Sequence, residues 1–151
     1  MMIYLVQHGE ARPEEEDPER PLSDKGRAEV EKVAKSLKKS LKIGPSRIVH
    51  SPKLRAKQTA EILSSILNAP AEEIEGIKPL DDPNIAKELV ESGSNDGIMV
   101  VGHLPHLDKL SSLLITGDEN AGIVRFRMGG VVCLEKEEKW KVKWMLTPDL
   151  V

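Results

Sequence analysis

The sequence predicts an α/β fold: a three-layer α/β/α sandwich around a mostly parallel central sheet, with antiparallel strands near the C-terminus. Three observations carry this expectation. Short apolar runs of strand type alternate with helix-period segments as far as Ile115. Met2–Val6 reads as a buried strand and Ile98–Val101 as a fully buried parallel one. From Gly122 onward the period becomes strand-like, with glycine and charged turns between the apolar runs. No repeat, linker or low-complexity segment interrupts residues 1–151, so one domain is expected.

Composition narrows the function classes. Charged residues make up 31% and the formal net charge is -3, which offers no support for nonspecific nucleic-acid binding. No apolar run approaches the roughly 20 residues of a membrane span. The N-terminus enters a strand without the charged-then-apolar layout of a signal peptide. The single cysteine, Cys133, excludes an internal disulfide and fits a reducing cytoplasm. It lies in an apolar run, where a buried, inert thiol is expected.

The elements follow in order. The first strand stops at Gln7-His8-Gly9-Glu10. A polar loop, Ala11–Arg20, leads to Leu22-Ser23, where Ser23 is the expected N-cap of a helix. Gly26, Val30, Val33, Ala34, Leu37 and Leu41 fall at helical spacing and predict its buried stripe. Arg47–His50 is a short strand. Ser51-Pro52 predicts the next helix start, a hydroxyl cap followed by proline at the first helical position. In that helix Arg55 shares an inward face with Thr59, Ile62 and Ile66.

The middle of the chain carries weaker signals. Ala71–Ile77 reads as an edge strand and Pro79–Pro83 as a loop holding Asp81 and Asp82. A modest helix is expected over Asn84–Glu91, with Ile85, Leu89 and Val90 on one side. The buried strand ends at Gly102-His103, and Leu104–Ile115 forms the following helix. Three strands are expected last, at Val124–Phe126, Val131–Leu134 and Trp140–Leu146. In the last, Trp140, Val142, Trp144 and Leu146 mark one buried face.

Chemistry concentrates where strands end. Ligands of open α/β sheets bind outside the carboxyl ends of the strands. Three polar features fall there: His8, the Ser51-to-Arg55 helix start, and His103. A neutral imidazole can attack phosphorus and hold the phosphoryl group covalently, splitting a hard hydrolysis into two steps. Gly9 allows a sharp turn and a close approach of substrate to the backbone. Arg55 offers a guanidinium fork at a helix N-terminus, as a structural ion pair or as a phosphate ligand. A protonated His103 would add a second cation. Four histidines without close ligand spacing fit a zinc site poorly, and no metal or other cofactor is invoked. His50 and His106 are expected to be hydrogen-bonded structural residues.

These segments together resemble the histidine phosphatase superfamily, and within it the small SixA-type phosphohistidine phosphatases. The resemblance rests on Leu5-Val6-Gln7-His8-Gly9-Glu10-Ala11, Arg20-Pro21-Leu22-Ser23, Ser51-Pro52-Lys53-Leu54-Arg55-Ala56 with Gln58-Thr59-Ala60, and Val101-Gly102-His103-Leu104-Pro105-His106-Leu107. It implies a histidine phosphatase-like fold, His8 as the phosphorylated nucleophile, Arg55 as a phosphate clamp and His103 as the second histidine of the pocket. Larger members carry an insertion that supplies an acid and a lid. A chain of 151 residues has little room for one, which implies an open site suited to a phosphorylated side chain on another protein. Glu10, Asp81 and Asp82 are the candidate proton donors, and otherwise solvated loop or helix-cap residues.

One residue departs from the family pattern. Gln7 stands where the family has arginine, so an amide replaces one of two guanidiniums on the phosphate. Losing such a contact costs on the order of 3 kcal/mol, about a hundredfold in rate. Either another cation substitutes, with Arg20 the candidate, or the site binds phosphate without efficient turnover. Three functions are thus open: a cytoplasmic phosphohistidine phosphatase acting on a signalling or phosphotransfer protein, a phosphatase of small phosphate esters, and a phosphate- or phosphoprotein-binding module. Neither a nucleic-acid partner nor a membrane is implied, and oligomeric state is not legible.

Overall fold

The computed structural model describes residues 1–151 and contains one six-stranded sheet. The strands are β1 (Met2–Gln7), β2 (Arg47–His50), β3 (Ala71–Glu73), β4 (Ile98–Gly102), β5 (Val131–Lys136) and β6 (Trp140–Leu146). Their spatial order is β3-β2-β4-β1-β5-β6. The first four run parallel, and β5 is antiparallel to both its neighbours, β1 and β6. Gln7 pairs with Gly102 and His50 with Val101, which brings the carboxyl ends of β1, β4 and β2 to one edge, side by side.

Helices α1 (Asp24–Lys39) and α2 (Leu54–Leu67) cover one face, and α3 (Pro83–Glu91) and α4 (His106–Thr116) the other. The strand residues divide by parity between two cores. Tyr4, Val6, Met99 and Val101 meet α1 and α2, while Ile3, Leu5, Ile98 and Val100 meet α3 and α4. That alternation is why the central runs are apolar at every position: both faces are covered. The predicted three-layer sandwich is the fold. No helix is long and apolar enough to cross a membrane. Cys133 is buried, and burial pushes its thiol up to about 11.

Helix α1 begins as expected. Ser23 Oγ accepts the Gly26 N–H at 3.0 Å, satisfying one of the free amides of the first turn. The helix stops at Lys39, however, so Leu41 lies past its end and is exposed. Helix α2 begins at Leu54, later than Ser51-Pro52 implied. Lys53 is its N-cap and makes no side-chain capping bond. Ser51 is no helix cap; its hydroxyl is drawn to another element. Helix α3 is capped by Asp82, and its Ile85 is exposed, Ala86 and Val90 taking the core positions. Helix α4 starts at His106 rather than Leu104, and its Leu113 is only half-buried.

The C-terminal third differs most. Val124–Phe126 is not a strand: residues 121–127 carry no regular structure, though Val124 is buried and Phe126 packs on the α3/α4 side. β6 does not present one buried face. Cys133 pairs with Trp144 but Leu134 pairs with Val142, so Lys143 is an extra residue, a β-bulge. The bulge reverses the alternation. Trp140 joins the core under α3 and α4, Trp144 packs on the opposite face, and Val142 is left exposed.

Candidate active site

The corner after β1 is held from several sides. His8 N donates to Gly102 O at 3.1 Å, and Gly129 N donates to the carbonyls of Gln7 and His8 at 3.0 and 3.2 Å. Gly9 N donates to Thr59 Oγ1 at 3.0 Å, and that hydroxyl donates to Arg55 O at 2.8 Å. Thr59 therefore ties the histidine corner to the first turn of α2. The Gly9 amide is committed within the fold.

Behind this corner α1 approaches closely. A Cβ on Gly26 would lie 2.1 Å from Glu10 O, and one on Gly9 would lie 2.8 Å from Val30 Cγ2. Glycine is required at Gly26 because helix and loop backbones touch there. In the sequence Gly26 falls in the buried stripe of α1 and carries no mark of this contact.

His8 Nδ1 lies 2.7 Å from Gly9 O. A carbonyl only accepts, so Nδ1 carries the hydrogen and Nε2 keeps its lone pair. Burial lowers the His8 pKa to about 4, and the positive charges of Arg55 and Arg20 act in the same direction against the Gly9 hydrogen bond. The ring is therefore neutral near pH 7.

His103, at the end of the adjacent β4, is 1% exposed and its ring centre lies 5.1 Å from that of His8. Its Nε2 is 2.5 Å from Ser51 Oγ, and its Nδ1 is buried without a partner. Burial lowers its pKa to about 3, aided by His8, Arg55, Lys53 and His106. The expectation of a protonated His103 is thus corrected. In the free site it is neutral, because a second charge would be desolvated among existing cations.

Arg55 is half-buried, with Nε buried and unpartnered. Arg20 bears on both His8 and Arg55 electrostatically. It adopts a left-handed backbone (φ 51°), uncommon for a residue with a Cβ, and its Nε donates to Arg12 O at 3.2 Å. Leu22 N donates to Gln58 Oε1 at 2.7 Å, anchoring the Arg20 segment to α2. Arg20, Lys53, Arg55 and Lys57 line an open cleft of about 620 Å³, with Glu14, Glu19 and Glu73 on its rim. Gln7 is 8% exposed, and its Oε1 is buried without a partner.

The candidate proton donors lie in other networks. Glu10 Oε2 accepts from Ser23 Oγ at 2.6 Å, beside the α1 cap. Asp81 accepts from Lys78 N at 2.9 Å. Asp82 caps α3, and the Asn84 amide holds its carboxyl below the usual range. None of the three hydrogen-bonds to a site histidine. His50 is a structural residue as expected, its Nδ1 bonding Ser51 O at 2.8 Å. His106 departs from the expected hydrogen bonding: it is fully buried and neither ring nitrogen has a partner.

Sequence reading missed three contributors. Ser51 was visible only as a presumed cap, although its place at a strand end was a signal. Thr59 was visible only as a face-mate of Arg55. Arg127 was not singled out. It pairs with Glu29 at 2.9 Å and with Asp149 at 3.7 Å, beside the glycine pair that braces the His8 corner.

A sheet that brings two neutral histidines and an arginine to one edge defines a class that sequence comparison makes explicit. The model of the histidine phosphatase superfamily (branch 1) matches residues 3–81, and the chain belongs to that superfamily. Among individual relatives, it is 28% identical over 154 residues to the phosphohistidine phosphatase SixA of Escherichia coli (strain K12), across 98% of this chain and 94% of that one. It is 31% identical over 143 residues to an uncharacterized protein of Picosynechococcus sp., across 85% and 86% of the two. The solved structure of the protein histidine phosphatase SixA complexed with tungstate matches at a TM-score of 0.86, with 27% identity and 99% of each chain covered.

Proposed function

We propose that this chain is a cytoplasmic phosphohistidine phosphatase that acts on a signalling or phosphotransfer protein through a covalent intermediate on His8. The observation that carries the reading is the His8 ring itself. It is neutral, oriented by Gly9 O, and left with a lone pair on Nε2 in the electrostatic field of the half-buried Arg55. Membership of the superfamily and likeness to SixA support the phosphatase class. The proposed roles are His8 as nucleophile, Arg55 and Arg20 as phosphate ligands, and His103 as a hydrogen-bonding partner of the phosphoryl oxygens.

In the first step the substrate's phosphoimidazole, already protonated by solvent on its far ring nitrogen, loses its P–N bond as His8 Nε2 bonds to phosphorus, and it leaves as neutral imidazole. Water then attacks the phosphoryl-His8 bond, releasing inorganic phosphate and neutral His8. In-line placement and cations around the equatorial oxygens do most of the work in such a transfer. Imidazole is a good leaving group once protonated, which suits a site whose carboxylates sit in other networks. The open cleft, with no covering insertion, suits a phosphorylated side chain on a protein.

The test is release of inorganic phosphate from a phosphohistidine protein and from an aryl phosphate, by the parent and by His8→Ala. Release by the parent should fall by roughly a thousandfold or more in His8→Ala. Activity that survives the substitution removes His8 as nucleophile.

Gln7 favours a second reading, a phosphoprotein-binding module with little turnover. Its amide supplies no charge, and its Oε1 is buried without a partner. Here the parent should be inactive and Gln7→Arg should gain activity.

A further inference from the structure

We propose that Ser51 is a positioning residue that decides which ring nitrogen of His103 carries the proton. Ser51 directly follows β2 and is fully buried; His103 directly follows β4, the neighbouring strand. Ser51 Oγ has two partners, His103 Nε2 at 2.5 Å and Lys53 N at 3.3 Å.

The assignment follows from counting hydrogens and lone pairs. A hydroxyl has one hydrogen and two lone pairs, and a neutral imidazole has one N–H and one bare nitrogen. If Nε2–H donated to Oγ, the serine hydrogen would have no acceptor and the bare Nδ1 no donor, two buried groups left unsatisfied. If the serine O–H donates to Nε2, Oγ still accepts from Lys53 N–H. Only the Nδ1–H then lacks a protein partner, in keeping with its orphaned state. Buried polar groups are paired wherever geometry allows, so the second arrangement stands. A doubly protonated ring fails the same count, since it too displaces the serine hydrogen.

The two histidines are thereby set in opposite senses. Gly9 O makes His8 an Nδ1–H ring with a bare Nε2, and Ser51 makes His103 a ring whose free position is an N–H donor. Resting on the phosphatase reading, what His103 has to offer a phosphoryl oxygen is then a neutral Nδ1–H and not an imidazolium. The positive charge then comes from Arg55 and Arg20.

The state of His103 can be read without any substrate. Two-bond ¹H–¹⁵N correlation spectra of the ¹⁵N-histidine-labelled chain near neutral pH report which nitrogen is protonated, His103 being assigned by its loss in His103→Asn. The parent is expected to show His103 protonated at Nδ1 alone. Ser51→Ala should shift the ring towards Nε2–H and lower kcat roughly tenfold with a smaller change in KM, and Ser51→Thr should restore both. An Nε2–H or imidazolium His103 in the parent overturns the proposal, even if Ser51→Ala fails to fold. So does an unchanged tautomer in a folded Ser51→Ala. A parent inactive on every phosphate, yet with His103 as Nδ1–H, overturns the phosphatase reading and leaves the tautomer assignment standing.

Discussion

The imidazoles of His8 and His103 lie 5.1 Å apart, centre to centre, with their planes inclined by 53°. Two titratable rings at that distance repel if both are charged. Burial of both, with Arg55 near each, keeps them neutral. The site is thus built around uncharged histidines, with arginines supplying the positive charge.

That charge state sets the pH profile. His8 is lowered to about 4 and His103 to about 3. With an aryl phosphate, and with the substrate's own phosphate titration subtracted, kcat/KM should show no enzyme ionisation in the ordinary histidine range, about pH 6.5, and should fall only towards pH 4. A decline centred near 6.5 would contradict a neutral nucleophile. Stability follows the same linkage. Between the folded and unfolded pKa values the unfolded chain binds more protons, so stability falls as pH drops from about 6.5 to 4. Each ring should withdraw on the order of 3 kcal/mol across that window. Urea midpoints measured against pH would show the decline.

Arg20 is the candidate replacement for the arginine that Gln7 displaces. Adding to burial, it lowers the pKa of both His8 and Arg55 from a left-handed backbone whose N–H donates to Asp17 O, while its Nε donates to Arg12 O. Arg20→Ala should weaken tungstate binding nearly as much as Arg55→Ala, roughly ten- to hundredfold for each. Calorimetric titration checks this, and unchanged affinity in Arg20→Ala removes it from the site. With Arg20 in that role, Gln7→Arg should change turnover little; a gain of about a hundredfold would show that no cation replaces the missing arginine.

Thr59 couples the His8 corner to α2. Thr59→Val keeps the shape but deprives the Gly9 N–H of its buried acceptor, a loss of about 1–3 kcal/mol. Activity should fall with stability, because the same hydroxyl links Gly9 to the backbone of Arg55. Paired urea melts and phosphate-release assays test this.

Gly26 tests the close packing of α1. A Cβ there would sit 2.1 Å from Glu10 O, between two backbones that cannot yield independently. Gly26→Ala should therefore cost about 2–3 kcal/mol despite alanine's better helix propensity. A stabilised variant in thermal melts would contradict the described contact.

Much of this was legible in the linear pattern, and particular residues show why. Met2–Val6 and Ile98–Val101 are apolar throughout because helices cover both faces, a signature that survives translation into sequence. Ser23 capped α1 as read, because capping is a local bond across three residues. Ser51 was misread for the complementary reason. Its local context resembles a cap, yet His103, 52 positions away, holds its hydroxyl. Trp140 and Trp144 were placed on one face because the bulge at Lys143 leaves no mark in the alternation of residue types.

The sequence by itself determined the order of strands and helices as far as α4, the three polar strand ends, and the presence of His8, Arg55 and His103 among them. Those follow from periodicity and short-range chemistry, which are properties of neighbouring residues. Tertiary structure alone decided that β4 lies between β1 and β2, so that these ends meet. It also decided that both site histidines are neutral and which atoms hold them. Charge state and tautomer depend on burial and on partners far along the chain, and neither exists until the sheet has closed.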